Sequence, residues 1–401
     1  MTIEEKFMAL GVKNAPGQEV RQKNIDLKNV LTVDIPEGKA VDFSHGDVDA
    51  FPPIPGSEDL WSDGFSLGGC QAYTEYRGAL DIRQGLAERL GLFTGKPINA
   101  DSELIITPGT QGALFLALGS TVSNGTKVAI IEPDYFANRK LVHFMGGEIV
   151  PIPLSFLGNQ NGPDLNILEK AFKDGTKVFV FSTPNNPTGQ VYSREAINSI
   201  CVLASKYDVT VIVDQLYSRM LFSGEEYTHL RSCNNAPENL ITIMGPSKTE
   251  SLSGYRLGVA FGTSTLIDRM ERLQAIVSLR AAGYNQAVLR TWLQEPEGWL
   301  EDRIAQHEKI RDDILKIFNK ANLKTATPQA GSYLFTELPP LITEYSSFIA
   351  LLRQQAQITV TPGTEFAPSY DNFIRLNFSQ DYHAAISAAQ RIVLMIDKYK
   401  I

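Results

Sequence analysis

Six short, continuously apolar runs constrain this chain more than any other feature. They are ELIITPG (103–109), KVAIIEP (127–133), EIVPIPL (148–154), KVFVFSTP (177–184), VTVIVD (209–214) and LITIMG (240–245). Each is strand-length, and several are separated by stretches with helical spacing, such as 110–122, 164–174 and 193–206, with another at 78–91 ahead of the first. A strand with no polar alternation is buried on both faces. Strands of that kind alternating with helices predict a parallel sheet covered on both sides, an α/β fold.

The pattern changes after about residue 262. Residues 265–294 and 297–323 read as two long helices separated by Pro296. From about 325, short strands (GSYLFTEL, ITVTPG, FIRLNFS) mix with helices, which predicts an α+β segment. At the other end, 3–13 reads as a short amphipathic helix. Residues 41–57 read as a short strand running into a Pro-, Gly- and Asp-rich loop.

Composition removes several classes of function. With 37 Lys+Arg against 45 Asp+Glu, the net charge is −8, and there is no basic run for a nucleic acid to grip. No apolar stretch approaches the roughly 18 residues of a membrane span, and the acidic N-terminus is not a secretory signal. Cys70, Cys201 and Cys233 are too few and too scattered for a disulfide framework or a zinc site. These features favour a reducing, cytoplasmic setting without nucleic-acid or membrane partners.

Ligands of open α/β sheets gather beyond the carboxyl ends of the strands, so the residues there are the candidates. Gly109-Thr110-Gln111-Gly112 opens a helix, where backbone N–H groups can meet an anion. It also serves as a plain strand-to-helix turn. Pro184-Asn185-Asn186-Pro187-Thr188-Gly189 is a rigid polar turn, in a site or simply on the surface. Asp214 ends an apolar run and needs a partner, whether structural or functional. Ser247-Lys248 and Gly254-Tyr255-Arg256 follow the last of the six runs, and Lys248 is a candidate amine nucleophile. A helix start for a phosphate, a carboxylate for a ring nitrogen, and a Lys for an aldehyde are together what pyridoxal phosphate requires.

These motifs, in the order AYTEYRG, TPGTQGA, EPDYFAN, TPNNPTG, VIVDQLY, PSKTESLSGYRLG and FIRLNFS, resemble the class I/II aminotransferases. The resemblance implies the fold-type I architecture of pyridoxal-phosphate enzymes. Its large domain is three-layered α/β/α around a mostly parallel sheet, and its smaller domain is α+β. It divides the chain into an N-terminal arm or lid and the start of the small domain at 1–48, a large cofactor-binding domain at 49–295 and the C-terminal small domain at 296–401.

The resemblance also carries roles. Lys248 is implied as the Schiff-base lysine and proton carrier, and Asp214 as the partner of the ring nitrogen. Asn186 and Tyr217 would bond the ring oxygen, with Tyr135 stacked on the ring. Thr110, Gln111, Ser247 and Arg256 would hold the phosphate. Tyr73 would reach the site of a second subunit, which implies a homodimer. Arg375 would pair with the substrate α-carboxylate, with Gly46 and Asn186 alongside. Two departures stand out. Gly245 occupies a place where many relatives have Ser, so one phosphate contact is open and Ser247 is the substitute at hand. His45 lies in a loop where many relatives have no histidine, either as an acid–base group or packed against the cofactor edge.

The resemblance to the family as a whole implies transamination of a free L-α-amino acid. A second reading is a likeness to the smaller branch that cyclises, eliminates from or oxidises arginine-derived amino acids. Asp47, Asp49 and Glu75 would then supply carboxylates for a guanidinium, or be solvated loop acids. A transcription regulator built on this fold would need a DNA-binding domain ahead of it. The roughly 40 residues before the fold leave no room for a winged helix of the usual domain size.

Overall fold

The computed structural model of the protein describes residues 2–8, 10, 31–32, 34–157 and 162–401. All six apolar runs are strands: β1 (Leu104–Pro108), β2 (Lys127–Glu132), β3 (Glu148–Pro153), β4 (Val178–Ser182), β5 (Thr210–Asp214) and β6 (Leu240–Met244). A seventh, β7 (Leu257–Gly262), completes one sheet in the order β1-β7-β6-β5-β4-β2-β3. The run β6-β5-β4-β2-β3 is parallel throughout, and β7 is antiparallel to both its neighbours.

Burial on both faces explains the unbroken apolar runs. Val178 and Val180 of β4 pack with Ala113 and Leu116 of helix α1 (Gly109–Gly119). Phe179 and Phe181 point the other way, onto Ile197 and Ile200 of α2 (Arg194–Lys206). Ser193 caps α2 by accepting from the Ala196 N–H, as a Ser before an amphipathic run does.

The strand β7 is absent from the six runs read in sequence. It lies within GYRLGVAFG, whose glycines and arginine draw the eye as a site motif. Its direction matters. Because β7 runs against its neighbours, its first residues lie at the same edge as the last residues of β1, β4, β5 and β6. Arg256, just ahead of β7, therefore reaches the place where the other strands deliver their ends. Arg256 is left-handed, with φ 56° and ψ 50°, which turns the chain sharply into the strand.

The long helix expected over 265–294 is not continuous. It runs Ser264–Val277, stops, and resumes as a 3-10 turn at Tyr284–Arg290. Just past the helix end Leu279 takes a left-handed φ of 61°, and at Gly283 the backbone comes so close to the Gln71 carbonyl that any side chain there would overlap it. The segment turns there and packs with the helix Ser57–Ser66 instead of extending. The helix expected from 297 holds, at Trp299–Lys320. Of the expected 3–13 helix, Ile3–Met8 is helical; residues 11–13, and most of the polar stretch after Gln18, lie outside the described residues.

The C-terminal part is α+β. A four-stranded antiparallel sheet runs Thr361–Pro362, Phe373–Asn377, Tyr333–Glu337, Lys324–Thr325. Helices Trp299–Lys320, Tyr345–Ala356 and Tyr382–Tyr399 share a core with it. Val41, Phe43 and Phe51 belong to that same core, and Val41–Asp42 pairs in parallel with Ile358–Thr359. Among the described residues no helix is long and apolar enough to cross a membrane.

One contact fixes helix α1 against the sheet. Gly258 of β7 has no side chain, and a Cβ there would overlap the Gly109 carbonyl carbon and the Thr110 nitrogen. Gly258→Ala is therefore an overpacking substitution against backbone. It should cost about 1–3 kcal/mol, read as a lowered midpoint in thermal or denaturant unfolding. A variant as stable as the parent would show that α1 does not rest on this glycine.

Candidate active site

The strand ends converge on a cavity of about 150 Å³. Its wall includes Thr110 and Gln111 from the start of α1, Tyr135 after β2, and Asn186 after β4. Asp214 and Tyr217 come from β5, and Ser247, Lys248 and Arg256 from the β6–β7 connection. These nine are the residues singled out for a cofactor in the sequence, except Tyr73. Tyr73 is 82% exposed, with the Arg280 guanidinium 5.2 Å from its ring centre, and its own chain does not bring it to this cavity.

At one end of the cavity the groups are positive. Helix α1 presents its N-terminus, and Arg256 lies against it, its Nη2 2.7 Å from where a Gly109 side chain would begin. Arg256 Nη1 donates to the Ser253 carbonyl at 2.8 Å. A helix N-terminus, a guanidinium and the Ser247 hydroxyl form a donor set suited to a phosphate. The Ser missing at 245 has a physical explanation. A Cβ at Gly245 would stand 2.8 Å from the Thr110 methyl carbon, so the branched Thr110 side chain occupies that space.

Midway, Asp214 accepts one backbone hydrogen bond, from the Leu216 N–H at 2.9 Å. Burial pushes its carboxyl up to about 6, against that bond and the nearby Lys248. A carboxylate disfavoured by burial is stabilised by a cationic N–H beside it. Tyr135 donates its hydroxyl to Gln111 Oε1 at 2.9 Å, which holds its ring at the cavity wall. The half-buried Lys248 stands at the junction with a second cavity of about 380 Å³. Phosphate donors, a carboxylate and a primary amine along one cavity fit pyridoxal 5′-phosphate from end to end.

The second cavity is lined by His45, Gly46 and Asp47 and by Lys248 itself. Arg375, at the edge of the site, is 5% exposed. Its Nη1 donates to Asn186 Oδ1 at 3.1 Å, and its Nη2 donates to the Ser44 carbonyl at 2.8 Å and Thr361 Oγ1 at 3.2 Å. Its Nε has no partner. All these acceptors are neutral, so the buried cation lacks the counter-charge that would offset its desolvation. Asn186 spends its oxygen on Arg375 and keeps its amide N–H groups for the cavity.

His45 sits on the rim with Nε2 3.4 Å from Asp42 Oδ2. The Asp42 carboxylate pushes the imidazole up to about 9, so it carries its proton at neutral pH. Asp47 lines the second cavity, and its Oδ1 accepts from the Asp49 and Ala50 N–H groups. Glu75, expected at the substrate mouth, is elsewhere engaged: it forms an ion pair with the buried Arg83. The arginine-type reading thereby loses one of the carboxylates it relied on.

The structure also shows residues the sequence did not mark. Asp134, buried, accepts from the Tyr135 N–H at 2.6 Å, the Ser182 N–H at 2.9 Å and the Ser182 hydroxyl. Burial still pushes its carboxyl up to about 8. Ser182 Oγ in turn accepts from the Asn186 N–H at 3.1 Å. This ties the Tyr135 loop to the Asn186 turn. The Asp in EPDYF was the available signal. Tyr333 is the other. It lines the first cavity from the strand Tyr333–Glu337 and accepts a hydrogen bond from the Tyr217 hydroxyl at 2.7 Å. A tyrosine in a strand is ordinary, so no sequence signal distinguished it.

Comparison with known proteins agrees with this geometry. Residues 64–391 match the family model described as aminotransferase class I and II. The crystal structure of an aspartate aminotransferase from Rhodobacter sphaeroides 2.4.1 is 55% identical over all of both chains, with a TM-score of 0.93. The aromatic-amino-acid aminotransferase 2 of Thermococcus litoralis is 24% identical, over 83% of this chain and 86% of the relative. Kynurenine–oxoglutarate transaminase 3 of Mus musculus is 25% identical, over 96% and 90% respectively. The chain belongs to the class I and II aminotransferases, enzymes that work through pyridoxal 5′-phosphate.

Proposed function

We propose that this aminotransferase takes an acidic L-α-amino acid of the aspartate class as donor, and that the residues of the two cavities divide the work as follows. The carrying observation is that Asp214 and Lys248 line the first cavity, Lys248 also lines the second, and the uncompensated Arg375 is bonded to Asn186 and lies over Tyr333, both on the first cavity's wall. The 55% identical Rhodobacter protein is described as an aspartate aminotransferase, which supports the substrate class.

When bound, pyridoxal phosphate supplies an electron sink that makes the α-proton of an amino acid labile. The chain's own residues provide the rest. Thr110, Gln111, Ser247 and Arg256 would hold the phosphate. Asp214 would keep a proton on the ring nitrogen. Tyr135 would pack against the ring, and Asn186 and Tyr217 would bond its oxygen. Lys248 would anchor the cofactor and, as a free amine, take up and carry the substrate Cα proton. Arg375 takes the α-carboxylate as a two-pronged donor, with Gly46 and Asn186 beside it. His45, cationic through Asp42, faces a negatively charged side chain. Asp47 limits the space on that rim. The working form is a homodimer in the cytoplasm in which the exposed Tyr73 reaches a second copy's phosphate site.

Three outcomes test this reading. Lys248→Ala should remove the cofactor's lysine-linked absorption band and turnover together; a variant that still turns over would sink the lysine's role. Arg375→Ala should lower kcat/KM by about 2–5 kcal/mol with aspartate and oxoglutarate, as for truncating one half of a buried charge pair. Little change would place the carboxylate elsewhere. The His45 imidazole, followed by NMR, should titrate near pH 9. In Asp42→Asn it should fall toward 6.5. Because the folded value is raised, the His45–Asp42 contact contributes fully below about pH 6.5 and is lost as pH rises through 9. An unshifted midpoint in both proteins would remove the cation from the rim.

A further inference from the structure

Two phenols share one hydrogen bond inside the site. The Tyr217 hydroxyl donates to the Tyr333 oxygen at 2.7 Å, and both side chains are buried, at 4% exposure each. A phenol gives one proton and accepts others. If Tyr217 gives its proton to the cofactor's ring oxygen, it has none left for Tyr333. The bond between the two phenols then runs the other way, with Tyr333 donating into Tyr217.

We propose that Tyr333 is a positioning residue for the reaction: its hydroxyl backs Tyr217 as a donor and so stabilises negative charge on the cofactor's ring oxygen. This deepens the function proposed above and rests on its placement of Tyr217 and Lys248.

The surroundings of Tyr333 suit it to donate. The Arg375 guanidinium lies over its ring, 4.2 Å from the centre. Burial alone would raise the Tyr333 phenol, but the neighbouring cations, Lys248 and Arg375, act to lower it; Asp214 acts the other way, and Tyr135 also faces it. Tyr217 is pushed well above its ordinary value by burial and by Tyr333. With the Arg375 guanidinium on its face, Tyr333 is the phenol better suited to donate, and the 2.7 Å contact lets it do so once the Tyr217 proton is turned to the cavity. A phenylalanine would fill the same space and carry the same guanidinium on its face. The oxygen is thus separable from the packing.

The arrangement also joins two ends of the site. Arg375 is the carboxylate holder, and its charge acts on Tyr333 across 4.2 Å. Neutralising that charge with a bound carboxylate makes Tyr333 a weaker donor. The cofactor's protonation thereby responds to occupancy of the carboxylate site.

The test is a spectrophotometric pH titration of the cofactor band in holoenzyme, in the parent, Tyr333→Phe, Tyr217→Phe and the double variant. The deprotonated lysine-linked cofactor bears charge on the ring oxygen, so losing a donor raises the transition. Tyr333→Phe should move it upward by about 0.5–1 pH unit, the size of one ordinary hydrogen bond. Tyr217→Phe should move it at least as far, and the double variant no farther than Tyr217→Phe alone. A Tyr333→Phe transition at the parent's pH overturns the proposal, and so does a double variant whose shift is the full sum. If Tyr217→Phe also leaves the transition unmoved, the reading of the site fails, and the proposal with it. Thermal unfolding of each variant gives its folded fraction, and the transition is read on that fraction.

Discussion

Charge buried beside neutral hydrogen-bonding groups is the condition on which this molecule turns. Arg375 is enclosed by a carbonyl, an amide oxygen and a hydroxyl, and Asp214 accepts from a single backbone N–H with Lys248 nearby. Each such group costs free energy to bury. The rest of the structure makes that cost tolerable and useful. A stiff parallel sheet delivers the strand ends to one edge, and glycines at 109, 245 and 258 let backbone close around the space. The result is a site that, on the proposed reading, is complemented by a phosphate, a ring cation and a carboxylate.

That scaffold is itself cross-tied. Asp134 and Ser182 bind the ends of β2 and β4, two neighbours in the sheet whose following loops carry Tyr135 and Asn186. A carboxylate that accepts three donors is a rigid joint, and the aromatic wall and the amide of the site hang from it. The antiparallel β7 does the corresponding work at the phosphate end, carrying Arg256 to one side of the helix start and Gly258 to the other.

Much of this was legible in the sequence because the physics involved is local. An apolar run of strand length has one meaning when it recurs between helices, and all six runs were strands. The residues after them gather at one edge by the geometry of a parallel sheet, which is why nine residues that line one cavity could be named. What escaped depended on partners distant in the chain. The tight approach at Gly283 depends on Gln71, the loss of Glu75 from the substrate mouth on Arg83, and the importance of Tyr333 on Tyr217. No window of sequence contains both members of the first or third pair. Strand β7 was hidden for a different reason: its residues looked chemically interesting, and that reading displaced the simpler one.

The parallel pairing of Val41–Asp42 with Ile358–Thr359 has a consequence for how the protein is made. The loop that carries Ser44, His45 and Gly46 leads directly out of that pairing, and Arg375 clasps the Ser44 carbonyl from farther down the chain still. On a ribosome adding roughly 5–20 residues per second, the early strand waits tens of seconds for its mate to emerge. The apolar sheet between them can form in that interval. The substrate rim cannot. It has to wait for Arg375, so a nascent chain cut short before that residue can own a sheet and the helix start beside it and still lack the rim.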